Sequence, residues 1–165
     1  MLPGADLPIY SFPGEALGIK LLLIGMAARK RNIKPGGTRG TVFREVAHVR
    51  LKDAAVLLEQ GRFAGAIYLA GYAVECLLKW AITCRRECVY LPAELEIHNL
   101  DKLMTEAGLE RQLSEQHDLP DLFWRLAEGW GPELRYLAQA PEAGVAMNLY
   151  REIERVYYWI VEHAL

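Results

Sequence analysis

From residue 41 onward, apolar residues recur three or four positions apart, as on one face of an amphipathic helix. In the first such stretch they are Phe43, Val46, Ala47, Ala54 and Leu58. Thr41 is a residue type that caps helix N-termini, and glycine suits the left-handed position that follows a helix. The pattern predicts a first helix that begins at Val42, is capped by Thr41 and is ended by Gly61.

The next stretch, residues 63–84, is apolar nearly all round, which is typical of a helix in the middle of a bundle. Glycine inside a helix costs roughly 1 kcal/mol relative to alanine, so its presence needs a reason. The small residues of this stretch are Gly65, Ala66, Ala70, Gly71 and Ala73. They remove side-chain bulk and allow neighbouring helices, or a second subunit, to approach closely.

Pro92 interrupts the pattern, and three further helices follow. We expect them at about residues 99–107, closed by Gly108, at about 121–128, and from about 141 to the end. The last carries a clear apolar stripe: Leu149, Ile153, Val156, Tyr157, Ile160, Val161 and Ala164. A turn with Gly129, Gly131 and Pro132 separates the last two helices. Residues 41–165 show no alternating strand pattern, so the expected fold is an all-α, up-and-down bundle of four to five helices.

Residues 1–40 differ from the rest of the chain, since the first 17 are rich in proline and glycine and residues 34–40 read "KPGGTRG". The apolar run at residues 21–28 is far shorter than the roughly 20 residues that span a bilayer. Its basic cluster follows the run, whereas a signal peptide places it before. We expect a loop-rich extension and linker at 1–40, with the run forming a short helix or strand or a membrane-surface anchor, and a bundle at 41–165.

Charge and cysteine content narrow the chemistry. The formal net charge of -2 provides no overall basic field, so nucleic-acid binding would need a local patch. An odd number of cysteines (Cys76, Cys84 and Cys88) argues against a disulfide framework and for a reducing, cytoplasmic compartment. No second Cys or His pair stands near Cys84 and Cys88 to complete four metal ligands, so we expect neither a metal nor a cofactor.

Two charged residues interrupt the apolar second helix. Glu75 and Lys79 are four apart with the glutamate first, an arrangement that favours an intrahelical ion pair. A buried carboxylate needs a partner, and the guanidinium fork of Arg135 suits one. Two interpretations stay open: an ion pair that joins two helices, or a ligand-binding polar pocket lined by Glu75, Lys79, His98, Arg135 and Tyr136.

Three segments carry a family resemblance: "GRFAGAIYLAGYAVECLLKWAI", then "HNLDKLMTEAGL", then "WGPELRY". Together they resemble the HEPN domain family (higher eukaryotes and prokaryotes nucleotide-binding) over about residues 42–162, most specifically at residues 68–79. The resemblance implies a bundle of four or five helices that forms a homodimer. Many members of the family look like partners of a small nucleotidyltransferase in toxin–antitoxin operons.

Active members of that family are metal-independent RNases with an arginine, four to six residues, and then a histidine. No histidine follows Arg135 at that spacing, whereas Arg111 and His117 fit it in "RQLSEQH", outside the place that the family uses. We therefore expect a non-catalytic module that binds a nucleotide or a nucleotidyltransferase-type partner. The alternatives are an RNase toxin using Arg111 and His117, which would act on RNA, and a purely structural helical protein.

Overall fold

The computed structural model describes residues 37–137 and 139–165, and in this part of the chain six α-helices form without any β-strand. The helices are α1 (Gly40–Glu59), α2 (Phe63–Arg85), α3 (Leu100–Ala107), α4 (Glu110–Ser114), α5 (Leu119–Gly129) and α6 (Ala143–His163). Two short 3-10 turns lie at Ala93–Leu95 and Pro132–Tyr136. The predicted all-α class is confirmed. The predictions for residues 1–36, including the apolar run, lie outside the described residues.

The first helix begins earlier than its sequence suggests. Arg39 occupies the cap position of α1, and no side chain caps the helix, so the predicted cap at Thr41 is wrong. The Gly40 N–H donates to the Val89 carbonyl at 3.0 Å, and the Leu91 N–H donates to the Thr38 carbonyl at 3.0 Å. The first N–H group of α1 is therefore satisfied by the backbone of a distant loop, and no side chain takes this role. The hydrogen bond of Thr38 to Leu91 involves a residue of the segment that the sequence assigns to the linker.

Helix α2 is the centre of the bundle, as its pattern predicts, and it ends one residue later than expected. It packs against α1, α6 and α3. Ala66, Ala70 and Ala73 have no exposed surface. By length and composition α2 is apolar enough to cross a membrane, but 72% of its apolar window is buried inside the bundle. Burial of this extent is also what the core helix of a globular domain shows.

Gly71 of α2 is required by its contact with Trp130. A Cβ atom at this glycine would collide with the indole ring. The Trp130 Nε1–H donates to the Tyr68 carbonyl at 3.0 Å, and the two aromatic rings stack with centroids 6.1 Å apart. The missing side chain therefore allows the segment after α5 to dock on α2.

The shorter helices follow their local signals in part. Asn99 caps α3 by accepting from the Lys102 N–H at 2.7 Å, and Gly108 ends it with φ at 70°, as expected. Helix α4 was not predicted, since it has only five residues and one buried side chain, Leu113. Along α6 most of the predicted stripe is buried, whereas Leu149 remains 37% exposed.

Candidate functional site

A buried carboxylate on α2 holds two nitrogen-bearing side chains. Glu75 is 1% exposed, and Lys79 Nζ donates to its Oε1 at 2.7 Å. His98 Nδ1 lies 2.9 Å from Oε2, while 55% of the His98 side chain is exposed. We name these three residues the polar centre. It joins the interior of α2 to the surface of the domain.

Local structure explains why these residues meet. Glu75 and Lys79 are one helical turn apart on α2, and the Lys79 ammonium also lies 5.7 Å from the centroid of the Phe43 ring on α1. His98 directly precedes Asn99, the cap of α3. A carboxylate only accepts hydrogen bonds, so the proton between Glu75 and His98 is on Nδ1. The Nε2 atom of His98 is then the nitrogen left for another partner.

Arg135 and Tyr136, predicted to line the same pocket, lie elsewhere on the surface. Both are exposed, in the 3-10 turn Pro132–Tyr136, and the Arg135 guanidinium lies 5.3 Å from the centroid of the Tyr136 ring. The predicted contact between Arg135 and Glu75 is not formed. The physical reason is the position of the 3-10 turn, which leaves Arg135 in solvent, while Lys79 and His98 supply the partners of the carboxylate.

The RNase-type pair predicted from spacing is also on the surface. Arg111 lies in α4 rather than in a loop, with 91% of its side chain exposed, and its Nε donates to Glu115 at 3.3 Å. His117 is exposed in the turn before α5. No hydrogen bond joins Arg111 to His117 in the described part of the chain, so their catalytic role stays a prediction.

A groove between α1, α2 and α6 was missed by the sequence reasoning. We name it the α1–α6 groove; its volume is about 550 Å³, and its lining comprises Thr41, Arg44, Glu45, His48, Leu77, Trp80, Tyr157, Tyr158 and Val161. The Arg44 guanidinium lies over the Trp80 ring, 4.8 Å from the centroid. The one available signal was the four-residue spacing of Arg44 and His48, which places both on one face of α1.

Burial disfavours the ionised form of the Cys76 thiol, which lies next to the polar centre. Burial raises the pKa of Cys76 to about 12, and a hydrogen bond from Tyr72 opposes this shift only in part. Burial also raises the pKa of Cys84 above its ordinary value. Because the thiolate is the reactive form, both shifts disfavour nucleophilic chemistry at these cysteines. Within the described ranges, no group of three or more His, Cys, Asp or Glu residues is arranged to hold a metal ion.

Comparisons of the chain with models of protein families, with curated proteins and with solved structures gave no match. The residues and their geometry therefore carry the functional inference.

Proposed function

We propose that this chain is a HEPN-like helical module that pairs with a second copy and binds a nucleotide or a nucleotidyltransferase-type protein, in a toxin–antitoxin context, without catalysing a reaction. The observation that supports binding is the anchored, exposed His98. Its Nδ1 is held by a carboxylate that is 1% exposed, while more than half of the side chain faces solvent. A surface group that is already oriented loses less conformational freedom when a partner arrives.

The absence of a catalytic partner at the polar centre favours binding over RNA cleavage. Cleavage next to a ribose 2′-hydroxyl needs a base together with a cation for the scissile phosphate. The cation that shares Glu75 with His98 is Lys79, which is 5% exposed and already paired with that carboxylate. In the described ranges no arginine bonds to Glu75 or His98, so His98 has the properties of a contact residue rather than of half a catalytic pair.

Calorimetric titration tests the proposal. The full chain is titrated with ribonucleoside mono-, di- and triphosphates and with any nucleotidyltransferase-type protein that a neighbouring gene encodes. We expect micromolar binding of one of them, reduced at least tenfold by His98→Ala. The matched control is His117→Ala, which removes an exposed histidine elsewhere. The absence of binding to both classes of partner at micromolar concentration would overturn the proposal, and light scattering would test the dimer.

A purely structural helical protein is the second candidate, and one observation favours it. Both Glu75 oxygens are satisfied within the chain, and Arg135 is in solvent rather than at the polar centre. On this hypothesis the titrations are silent and His98→Ala changes only the free energy of unfolding. Cleavage of RNA by the wild type that is lost in His117→Ala would instead establish the RNase alternative.

A further inference from the structure

We propose that the α1–α6 groove binds a small molecule that carries both an acidic group, a phosphate or a carboxylate, and an aromatic ring. The groove has a volume of about 550 Å³, within the range of roughly 300 to 1,000 Å³ that is common for small-molecule sites. Its lining separates into a cationic rim on α1 and an aromatic and apolar wall on α2 and α6. This division is what assigns the class of ligand.

The cation of the rim is Arg44, and His48 lies on the same face of α1 as a further hydrogen-bonding group. The Trp80 ring orients the Arg44 guanidinium from below, at 4.8 Å from its centroid. None of the ion pairs between described residues includes Arg44, so the edge of its fork is left to donate to an anion. That fork matches the two oxygens of a carboxylate or phosphate. Glu45 is the single acidic residue in the lining and opposes this charge.

The opposite wall offers aromatic and apolar surface. Tyr158 is 54% exposed, and its ring meets the buried ring of Tyr157 edge to face, with centroids 5.3 Å apart. Leu77 and Val161 complete the wall. An exposed tyrosine ring held by a second one is a suitable surface for the offset or edge contacts that aromatic ligands prefer. Burial raises the pKa of Tyr157, so its hydroxyl adds no negative charge to the groove at neutral pH.

The α1–α6 groove is separate from the polar centre. Phe43 contacts Lys79, whereas the next residue, Arg44, contacts Trp80, so the two features lie on different faces of α1. A nucleotide and an aromatic carboxylic acid both carry the required chemistry. A nucleotide in the groove would leave His98 to the nucleotidyltransferase-type partner, and in that case the inference rests on the proposed function; for an aromatic acid it stands apart from it.

The test is calorimetry of the full chain at low ionic strength with three probes: adenosine monophosphate, phenyl phosphate and indole-3-acetate. Inorganic phosphate and adenosine serve as single-part controls. We expect at least one probe to bind at least tenfold more tightly than the single-part controls. Tighter binding of adenosine monophosphate identifies a nucleotide as the ligand source, and tighter binding of indole-3-acetate identifies an aromatic acid. No binding of any probe at millimolar concentration would overturn the inference.

Variants locate the binding. Arg44→Ala and His48→Ala should each weaken it, the arginine by tenfold or more, and Glu45→Gln should strengthen it. Arg151→Ala is the matched control, because it removes the same charge from an exposed position of α6 outside the groove. Since Arg44→Ala also removes a contact with Trp80, circular dichroism checks its fold, and Tyr158→Ala provides a second test at an exposed side chain.

Two results would separate this inference from the proposed function. Binding that is lost in His98→Ala and kept in Arg44→Ala would overturn the groove and leave the proposed function standing. Binding of phenyl phosphate that depends on Arg44, in a chain that binds no nucleotide and no nucleotidyltransferase-type protein, would support the groove and remove the proposed function.

Discussion

At the scale of single residues, the feature with the largest energetic consequence is the buried pair of Glu75 and Lys79. Their side chains are 1% and 7% exposed, at an N–O distance of 2.7 Å. Taking two charges out of water costs several kcal/mol per ion, and their mutual attraction roughly offsets it. The pair is therefore a weak net source of stability, whereas a single remaining charge would be expensive.

We predict that Glu75→Ala lowers the free energy of unfolding by about 3 to 5 kcal/mol, because it leaves the Lys79 ammonium buried without a counter-charge. Urea unfolding followed by circular dichroism measures the change. Asp53→Ala is the control: it breaks a half-exposed ion pair with Arg50, 2.6 Å long, and should cost less than about 1 kcal/mol.

The double variant Glu75→Leu with Lys79→Met tests the same reasoning from the other direction. Replacing both charges with apolar groups of similar size should recover most of the lost stability. Equal losses in the single and double variants would show that shape, and not the unpaired charge, determines the cost.

The sequence identified this pair and placed His98 in the same pocket, but it named Arg135 rather than His98 as the partner of the Glu75 carboxylate. The four-residue spacing on an apolar helix was enough to predict the contact between Glu75 and Lys79. Whether His98 or Arg135 contacts the Glu75 carboxylate depends on where the fold places two loops that are distant in sequence. Local residue spacing does not predict those positions. The Asn99 cap brings His98 to Glu75, while the 3-10 turn at Pro132–Tyr136 leaves Arg135 in solvent.

At the scale of helices, the clearest relation between sequence and packing is that of α2 with the segment after α5. A helix without bulk at residue 71 accepts an indole ring directly on its backbone. The same helix also has Gly65, whose added Cβ would meet only the Cδ1 methyl of Leu57, at 3.3 Å. One glycine is thus fixed by a rigid ring and the other faces the end of a flexible side chain.

We predict that Gly71→Ala destabilises the domain by about 1 to 3 kcal/mol, because the new methyl group displaces Trp130. This loss would occur although alanine is the better helix former by roughly 1 kcal/mol. Gly65→Ala should instead be close to neutral or stabilising. Denaturant midpoints compare the two, and equal effects would contradict the proposed role of Trp130.

A long, uniformly apolar helix could be predicted from the sequence. A very short helix, or a helix end that a distant loop determines, could not. The bounds of α2 were correct within one residue, because its pattern spans six turns. Helix α4 was not predicted, because five residues with one buried leucine give almost no periodic pattern. The first residue of α1 was predicted incorrectly, because the loop at residues 89–91 determines it through backbone hydrogen bonds.

At the scale of the whole molecule, burial of weak acids makes stability depend on alkaline pH. Burial raises the pKa of Cys76 from its ordinary value of 9.0 to about 12, and that of Tyr150 from 10.0 to about 12. At pH values between the ordinary and the raised pKa of each group, the unfolded chain loses a proton that the folded chain keeps. The stabilisation is therefore complete below about pH 9 and is lost as the pH rises toward 12.

We predict that the free energy of unfolding falls with rising pH above about 9, and that Cys76→Ala makes this fall shallower than in the wild type. The variant removes a group that ionises in the unfolded chain before it does so in the folded one. Urea unfolding at a series of pH values from 7 to 11 measures both slopes. Identical alkaline slopes in the two proteins would contradict the assignment to Cys76.

The α1–α6 groove shows the limit of the sequence at this scale. Its residues come from three helices, and the closest pair from different helices, His48 and Leu77, is 29 positions apart in the sequence, so only assembly brings them together. The apolar pattern predicted α1, α2 and α6, but it did not predict which of their faces would line a groove.

The crowded contact between α1 and α2 constrains how this protein can diverge. Ala47, Ala54, Ala70 and Ala73 have no exposed surface, so a larger side chain at any of them has no solvent to turn toward. During evolution the exposed residues of α1 can be substituted freely, whereas these alanines can be replaced only by equally small residues. A related protein that keeps this fold should therefore have small residues at these positions, even where its other motifs have changed.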